Sequence, residues 1–157
     1  MSYIDQNLMN GESVIYRGKL HWVVFVGPVI WLLIAIIFFN DGRDNAPVAD
    51  FYGGIFVLIS IITGLTSFIN YKTSEFGITN KRVIVKVGFI RRRSIELLLN
   101  KIESIQVDQS IPGRILGFGS IVVSGTGGTK DPFRKIDAPL EFRKKAQEQI
   151  AIIQDSK

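Results

Sequence analysis

Two long blocks of apolar residues dominate the hydrophobic pattern of the chain. Trp22–Phe39 and Phe51–Ile69 are 18 and 19 residues long and contain no charged residue. About 20 apolar residues cross the hydrocarbon core of a bilayer as a helix. A helix that is apolar on every side lies inside a large core or spans a membrane. In a chain of this size, the pattern predicts a two-helix transmembrane hairpin at about 22–39 and 51–70, with a loop at 40–50.

A signal peptide is the alternative interpretation of the first block, which lies near the N-terminus. Phe38, Phe39 and Asn40 offer no small-residue cleavage site, and a second apolar block follows. These features favour a membrane-spanning helix over a cleaved leader.

The few polar residues of the second block share one helical face. Ser60, Thr63, Ser67 and Asn70 recur at spacings of 3, 4 and 3, and Gly64 lies beside them. Small and hydroxyl-bearing residues allow membrane helices to approach closely and to exchange hydrogen bonds. The alternative is a pore lining, but ionisable residues, which usually mark ion pathways, are absent from both blocks. We therefore expect a helix-packing face.

From Lys72 the pattern changes to short runs of β-branched and aromatic residues separated by turn residues. Runs of this kind predict strands, and they lie at 73–78, 82–87, 89–97, 102–107, 120–124 and 133–136. Ile115–Phe118 is expected to be a turn or a short helical piece after the break at Pro112-Gly113. Ser13–Arg17, before the first apolar block, also has the composition of a strand and could join the same sheet.

The C-terminal segment carries a helical stripe. Beginning at Pro139, a favourable residue for a first turn, it places Phe142, Ala146, Ile150 and Ile153 at steps of 4, 4 and 3. A membrane-surface helix is the alternative to docking on the sheet, but Glu141 and Glu148 dilute its basic face. The predicted fold is therefore a membrane-anchored α+β protein in which a bent antiparallel sheet or barrel is capped by this helix.

Charge sets the expected topology. The loop at 40–50 carries a net charge of −2, whereas the segment from Lys72 onward carries +7. Under the positive-inside rule, both termini lie in the cytoplasm and the loop lies outside. We expect a cytoplasmic N-terminal segment at 1–21, the transmembrane hairpin at 22–71 and a cytoplasmic domain at 72–157, all at the bacterial inner membrane.

Composition removes several classes of function. The 157 residues include no cysteine and one histidine, His21. Disulfides, thiolate metal sites and Cys nucleophiles are excluded, and one His leaves no basis for a His-cluster metal site or a Ser-His-Asp triad. The glycine-rich runs at 117–119 and 125–130 match neither phosphate-binding nor dinucleotide-binding spacing. We expect no enzymatic activity, no cofactor and no metal.

Several short motifs in the second half resemble the bacterial PH-like domain of membrane-flanked, YdbS-type proteins. They occur in the order of that family, and they are Gly77-Ile78-Thr79-Asn80-Lys81-Arg82, the Gly88 turn, Ile102–Gln109 and Arg114-Ile115-Leu116-Gly117-Phe118-Gly119. Gly11-Glu12 ahead of the apolar blocks also fits. The resemblance implies a bent seven-stranded sheet capped by a C-terminal helix, and it implies no catalytic residues.

A run of cations is the main candidate for a binding site. Six cations fall within thirteen residues, and they are Lys81, Arg82, Lys86, Arg91, Arg92 and Arg93. Three interpretations are open: positive-inside topology with a solvated strand face, contact with anionic lipid headgroups, and a specific ligand. The spacing also resembles the basic phosphoinositide signature of eukaryotic PH domains, a pattern that many Lys/Arg-rich strands satisfy. Nucleic acid is not expected, because nothing resembles a recognition helix.

Two function classes follow from these features. The first is a non-enzymatic membrane scaffold whose domain binds a membrane-protein partner or a second copy of itself, with anionic lipid as a further contact. The second is a small oligomeric pore or transporter subunit built from the hairpin, in which the face from Ser60 to Asn70 would line water.

Overall fold

The chain folds into two units, seen in a computed structural model that describes residues 3–41, 47–88, 93–126 and 130–155. One unit comprises residues 22–72, and the other joins residues 1–21 to residues 73–157. The N-terminal segment, expected as a separate piece, is thus part of the same unit as the C-terminal domain.

The first unit consists of two long helices. A 3-10 turn at Trp22–Phe25 leads into α2, Val26–Asp41, and α3 runs over Pro47–Thr73. Each helix begins close to a proline, which lacks the N–H that a first turn leaves without a partner. Both helices are long and apolar enough to cross a membrane, judged by length and composition. Large apolar side chains such as Leu33, Ile37, Leu58 and Leu65 are exposed along them.

The second unit begins with a short helix, α1, at Tyr3–Gln6, and a four-stranded antiparallel sheet. The strands are β1 (Val14–Gly18), β2 (Glu75–Thr79), β3 (Arg82–Val87) and β4 (Arg93–Leu98), paired in that order. The expectation that Ser13–Arg17 adds a strand is confirmed, because β1 pairs with β2, with Gly18 opposite Phe76. Along the chain, the two apolar helices therefore lie between β1 and β2, which are neighbouring strands of one sheet.

The remaining strands form a second antiparallel sheet of three. A 3-10 turn at Leu99–Lys101 precedes β5 (Ile102–Asp108), and β6 (Phe118–Gly125) lies between β5 and β7 (Lys130–Asp137). Strands are present at the six predicted positions within the described residues, with ends that differ by a few residues, and the first part of the predicted strand 89–97 lies outside the described residues. The predicted turn at 87–89 lies partly outside the described residues, and Gly88 there has a φ of +85°.

A short helix, α4, at Ile111–Leu116 joins β5 to β6. The prediction was only partly right here: the helix begins at Ile111 and ends before Phe118. Pro112-Gly113 does not break the chain, because the proline stands in the first turn. The Ser110 hydroxyl caps the helix by accepting a hydrogen bond from the Gly113 N–H at 3.3 Å.

The C-terminal helix α5, Pro139–Asp155, packs against β1, β2, β5 and β6. Phe142 and Ala146 are fully buried, and Ile150 and Ile153 are half-buried. The Phe142 ring meets the Tyr16 ring edge-on, with centroids 6.1 Å apart. The predicted apolar stripe is therefore the docking face, and α5 is not a membrane-surface helix. In the described residues the strands form two antiparallel sheets, of four and three strands, where one seven-stranded sheet was expected. The α+β class and the C-terminal helix that packs on the strands agree with a PH-like domain.

Candidate functional site

The described members of the predicted basic cluster lie at the start of β3, along β3 and at the start of β4. Lys81 precedes β3, Arg82 and Lys86 are within it, and Arg93 opens β4 directly opposite Val87. Arg91 and Arg92 lie outside the described residues. The structure therefore brings the strand-borne cations onto neighbouring strands.

Arg82 faces the interior of the domain. Its guanidinium makes a bidentate ion pair with Glu12, through Nε to Oε1 at 2.9 Å and Nη2 to Oε2 at 3.0 Å. It also donates to the Glu96 carboxylate and to the backbone carbonyl of Asn7. The Arg82 side chain is 6% exposed and that of Glu12 is not exposed at all. This corrects the assignment of Arg82 as a headgroup contact, because its donors are already engaged by protein oxygens.

Glu12 is held by further hydrogen bonds. The Thr79 hydroxyl donates to Oε1 at 2.7 Å, and the Met9 N–H donates to Oε2 at 2.7 Å. Burial alone would raise the pKa of Glu12, but the hydrogen bonds from Arg82, Met9 and Thr79 and the charge of Arg82 together hold that pKa below its ordinary value. The hydrogen bond with Glu12 likewise raises the pKa of Arg82. The pair is fully ionised at neutral pH.

The N-terminal segment also contacts two further cations, Lys81 just before β3 and Lys86 within it. The Lys81 ammonium donates to the Asn10 carbonyl at 2.7 Å. Lys86 lies 4.7 Å from the centroid of the Tyr3 ring, a distance typical of a cation–π contact. Glu75 on β2 accepts hydrogen bonds from the N–H groups of Tyr3 and Ile4. Residues 3–12 thus occupy the surface that the basic run of β3 would otherwise present.

Sequence reasoning missed this site because its halves are far apart in the chain. Glu12 and Arg82 are 70 residues apart, and two apolar helices separate them. The signal for this site in the sequence is the Gly11-Glu12 pair, one of the motifs that carry the family resemblance. In the described residues, no three His, Asp or Glu side chains lie together in a way that would hold a metal ion. The arrangement is an electrostatic clasp, which we define as Glu12, Thr79, Arg82 and Glu96.

The predicted packing face of α3 divides into two groups. The Ser60 hydroxyl donates to the Pro28 carbonyl at 2.9 Å, and the Ser67 hydroxyl donates to the Val24 carbonyl at 3.1 Å. Gly64 lies between them, and a Cβ built there would stand 3.8 Å from Pro28 Cβ. Ser60, Gly64 and Ser67 therefore bring α3 against the segment 24–28, as a small-residue face does.

The two remaining members of that face do not make this contact. The Thr63 hydroxyl donates to the Ile59 carbonyl of its own helix at 2.7 Å, and Asn70 is exposed. Aromatic rings extend the contact between the helices, with Trp31 stacked on Phe56 at 5.7 Å between centroids. The hydroxyls of Ser60 and Ser67 are satisfied by backbone carbonyls.

Comparison with protein families agrees with this fold. The model of the bacterial PH domain family matches residues 23–150, which is 128 of the 157 residues. The chain therefore belongs to the bacterial PH domain family, as the motifs of its second half had indicated. The finer YdbS-type assignment remains a prediction. No curated protein and no solved structure matches the chain.

The family and the fold together define a class of function. PH domains are generally non-catalytic modules that bind proteins or lipids.

Proposed function

We propose that this chain is a non-enzymatic integral membrane protein of the bacterial inner membrane. In this proposal α2 and α3 form a transmembrane hairpin, and the PH-like domain binds a membrane-protein partner or a second copy of the chain at the cytoplasmic face. Anionic lipid headgroups provide an additional contact.

The pairing of β1 with β2 is the observation that carries the proposal. β1 ends before the first apolar helix and β2 begins after the second, yet the two strands are hydrogen-bonded neighbours. A chain that leaves a sheet and returns to the next strand has crossed a bilayer an even number of times, or not at all. The pairing therefore supports a two-helix hairpin with both ends on one side.

The composition of the helices favours crossing over not crossing. Almost none of the side chains in either helix is buried within the fold, and the exposed ones are predominantly aliphatic or aromatic. Exposure of that much apolar surface to water is unfavourable at about 25 cal/mol per Å². The loop at 40–50 is acidic overall, and Arg17, Lys19 and Lys72 flank the helices on the other side. This charge pattern supports a cytoplasmic domain.

Strand β4 offers the partner surface. It is an edge of the four-stranded sheet, and Ser94, Glu96 and Leu98 are exposed along it. An exposed edge presents backbone N–H and C=O groups that a partner strand can pair with. The cations Arg91, Arg92 and Arg93 at and before its start are proposed to contact anionic headgroups or an acidic partner segment.

The pore interpretation receives less support from the contacts of α3. The hydroxyls of Ser60 and Ser67 are bonded to carbonyls at Pro28 and Val24 and are not directed to a water-filled lumen. Replacing Thr63 and Ser67 by Leu tests it directly. A pore would lose conductance, whereas the scaffold would lose only helix packing.

Topology can be tested with single cysteines, since the chain has none of its own. Asn45→Cys places a thiol in the loop that the sequence predicts at 40–50, and Gln147→Cys places one on the exposed face of α5. We expect a membrane-impermeant maleimide applied to intact spheroplasts to label Asn45→Cys only, and to label Gln147→Cys after permeabilisation. Labelling of both in intact spheroplasts would contradict the cytoplasmic domain.

Function is tested by purifying the intact protein in mild detergent and measuring its mass together with co-purifying components. We expect a defined homo-oligomer or a stoichiometric membrane-protein partner. A β4 variant with added charge, Ser94→Lys and Leu98→Lys, should lose that assembly, and Gln147→Lys on the exposed face of α5 is the matched control. A bare monomer that is unchanged by the β4 variant would contradict the scaffold.

A further inference from the structure

Helix α4 is held in a fixed position despite its short length. Ser110 caps its first turn, and Gly117 closes it in the left-handed region at a φ of +82°. A Cβ on Gly113 would stand 2.6 Å from the Phe118 carbonyl oxygen, so the backbone of α4 lies directly against the start of β6. Gln109 Nε2 donates to the same oxygen at 3.1 Å. The cap at Ser110, the close approach of Gly113 to the Phe118 carbonyl and the Gln109 hydrogen bond thus fix the position of α4 against β6.

These contacts leave the large side chains of α4 pointing away from the domain. Ile111 is 77% exposed and Ile115 is 79% exposed, and their spacing of four residues puts them on one face. Leu116 and, at the start of α5, Leu140 are also exposed. The two segments are linked by the hydrogen bond from the Ala138 N–H to the Gly117 carbonyl at 3.0 Å. Two isoleucines held outward on a capped helix form an apolar surface that the domain itself does not cover.

This surface adjoins the residue that precedes the first apolar helix. The His21 ring lies 5.3 Å from the Phe118 ring, and the His21 N–H donates to the Lys135 carbonyl at 2.7 Å. Phe118 follows α4 by two positions, and Trp22 follows His21. The point at which the chain leaves the domain for the apolar helix is therefore built from the residues next to α4.

Three exposed cations, Lys19, Arg114 and Lys135, lie on the segments that meet there, and the exposed Asp137 lies among them. The Lys19 carbonyl accepts a hydrogen bond from the Asp137 N–H at 3.0 Å. Apolar side chains accompanied by Lys and Arg are the combination that binds the headgroup region of an anionic bilayer. The surface combines apolar side chains with cations, and it lies beside His21, the residue that leads into the first apolar helix.

We propose that α4 is a membrane-contact element whose Ile111 and Ile115 insert into the headgroup region of the bilayer, with Arg114, Lys19 and Lys135 contacting anionic lipid. The proposal rests on the membrane anchoring proposed above. It assigns the surface to lipid and not to a protein partner, because α4 lies next to Phe118, whose ring contacts His21, and His21 leads directly into the helix proposed to enter the bilayer.

Site-directed spin labelling of the intact protein in vesicles of phosphatidylcholine and phosphatidylglycerol tests the proposal. The label is attached to Ile115→Cys, a position exposed enough to accept it without repacking. Leu33→Cys on α2 is the lipid reference and Gln147→Cys on α5 is the aqueous reference. For each label, the collision rate with oxygen, which partitions into lipid, is compared with that of a water-soluble nickel chelate. We expect a ratio for Ile115→Cys several-fold above that of Gln147→Cys and below that of Leu33→Cys.

The references separate the two proposals. An aqueous ratio at Ile115→Cys with a lipid ratio at Leu33→Cys would overturn the α4 contact and leave the anchoring intact. An aqueous ratio at Leu33→Cys would overturn the anchoring and the α4 contact with it. Dipolar broadening between labels at 115 that disappears on dilution with unlabelled protein would show a second copy on this surface, and would also overturn the lipid assignment.

Discussion

The side chains of Glu12 and Arg82 are both shielded from water. Because they are buried, each charge is stable in the folded domain only while its partner is present. Removing one partner from a buried pair leaves an uncompensated charge, whereas removing both can be nearly neutral. The exposed pair of Arg17 with Asp5, whose side chains are 46% and 48% accessible, has no such dependence. The same chain therefore offers a buried pair and an exposed pair for direct comparison.

Single replacement of a clasp charge is expected to be far more damaging than replacement of an exposed one. Arg82→Met or Glu12→Gln should lower the free energy of unfolding by about 3–5 kcal/mol, and the double variant should recover much of that loss. Arg17→Met should cost about 1 kcal/mol or less. Denaturant unfolding of the four variants in detergent measures these values. Equal costs for Arg82→Met and Arg17→Met would contradict a structural role for the clasp.

The lowered pKa of Glu12 gives the clasp a definite pH dependence. Because the folded state binds the Glu12 proton more weakly than the unfolded state, its contribution is present above the ordinary glutamate pKa of about 4.3. It is lost as pH falls through the lower folded value. The stability difference between wild type and Glu12→Gln should therefore be largest near neutral pH and shrink in acid. Unfolding curves at several pH values measure it, and a constant difference would contradict the ionised pair.

Among the elements, those with a regular pattern were predictable from the sequence, and those fixed by distant contacts were not. The stripe of α5 is recognisable because burial on one face imposes a helical period on the side chains. β3 is recognisable from its run of β-branched residues, and four consecutive residues of it, 82–85, are buried. Helix α4 has no apolar stripe facing the core, and its position depends on Gly113 and the Phe118 carbonyl. The inward orientation of Arg82 depends on its ion pair with Glu12, and no local sequence pattern connects these two residues. Charge alone did not distinguish an inward-facing cation from a solvated one.

The contact between α3 and the segment 24–28 is expected to depend on two hydroxyls. Replacing Ser60 and Ser67 by Ala should weaken helix packing by about 0.6–1.7 kcal/mol for each hydrogen bond. Thr66→Val is the matched control, since it removes a hydroxyl that is exposed and bonds to Thr63 in its own helix. Thermal unfolding in detergent, followed by circular dichroism, compares the variants. An effect of Thr66→Val as large as that of the Ser variants would contradict the assigned face.

In the whole molecule, the two units should be separable at the junctions 21–22 and 72–73. The domain keeps its own core and its own sheet order, with β1 and β2 as antiparallel neighbours. Neighbouring antiparallel strands can be joined by a short connection. The helices are thus an insertion that the domain does not require for its hydrogen bonding.

Replacing residues 22–72 by a short Gly/Ser linker is expected to give a water-soluble domain that unfolds cooperatively. A second variant that also lacks residues 1–13 should be strongly destabilised, because Arg82 then loses Glu12 and Lys81 loses the Asn10 carbonyl. Circular dichroism and sedimentation of the two variants check this. A linked domain that stays unfolded would show that the helices contribute to its stability.

The position of β1 also sets an order of events during biosynthesis. β1 leaves the ribosome before both helices, and its partner β2 leaves after them. The pairing of Val14 with Thr79 can therefore form only after both helices have been synthesised. If only one helix were inserted across the bilayer, β1 and β2 would lie on opposite sides of the membrane and could not pair. The clasp could not close, since Glu12 and Arg82 would be divided in the same way. On the proposed topology, completion of the sheet therefore reports that both helices have been inserted, and a mis-inserted chain would display an open strand edge to cellular proteases.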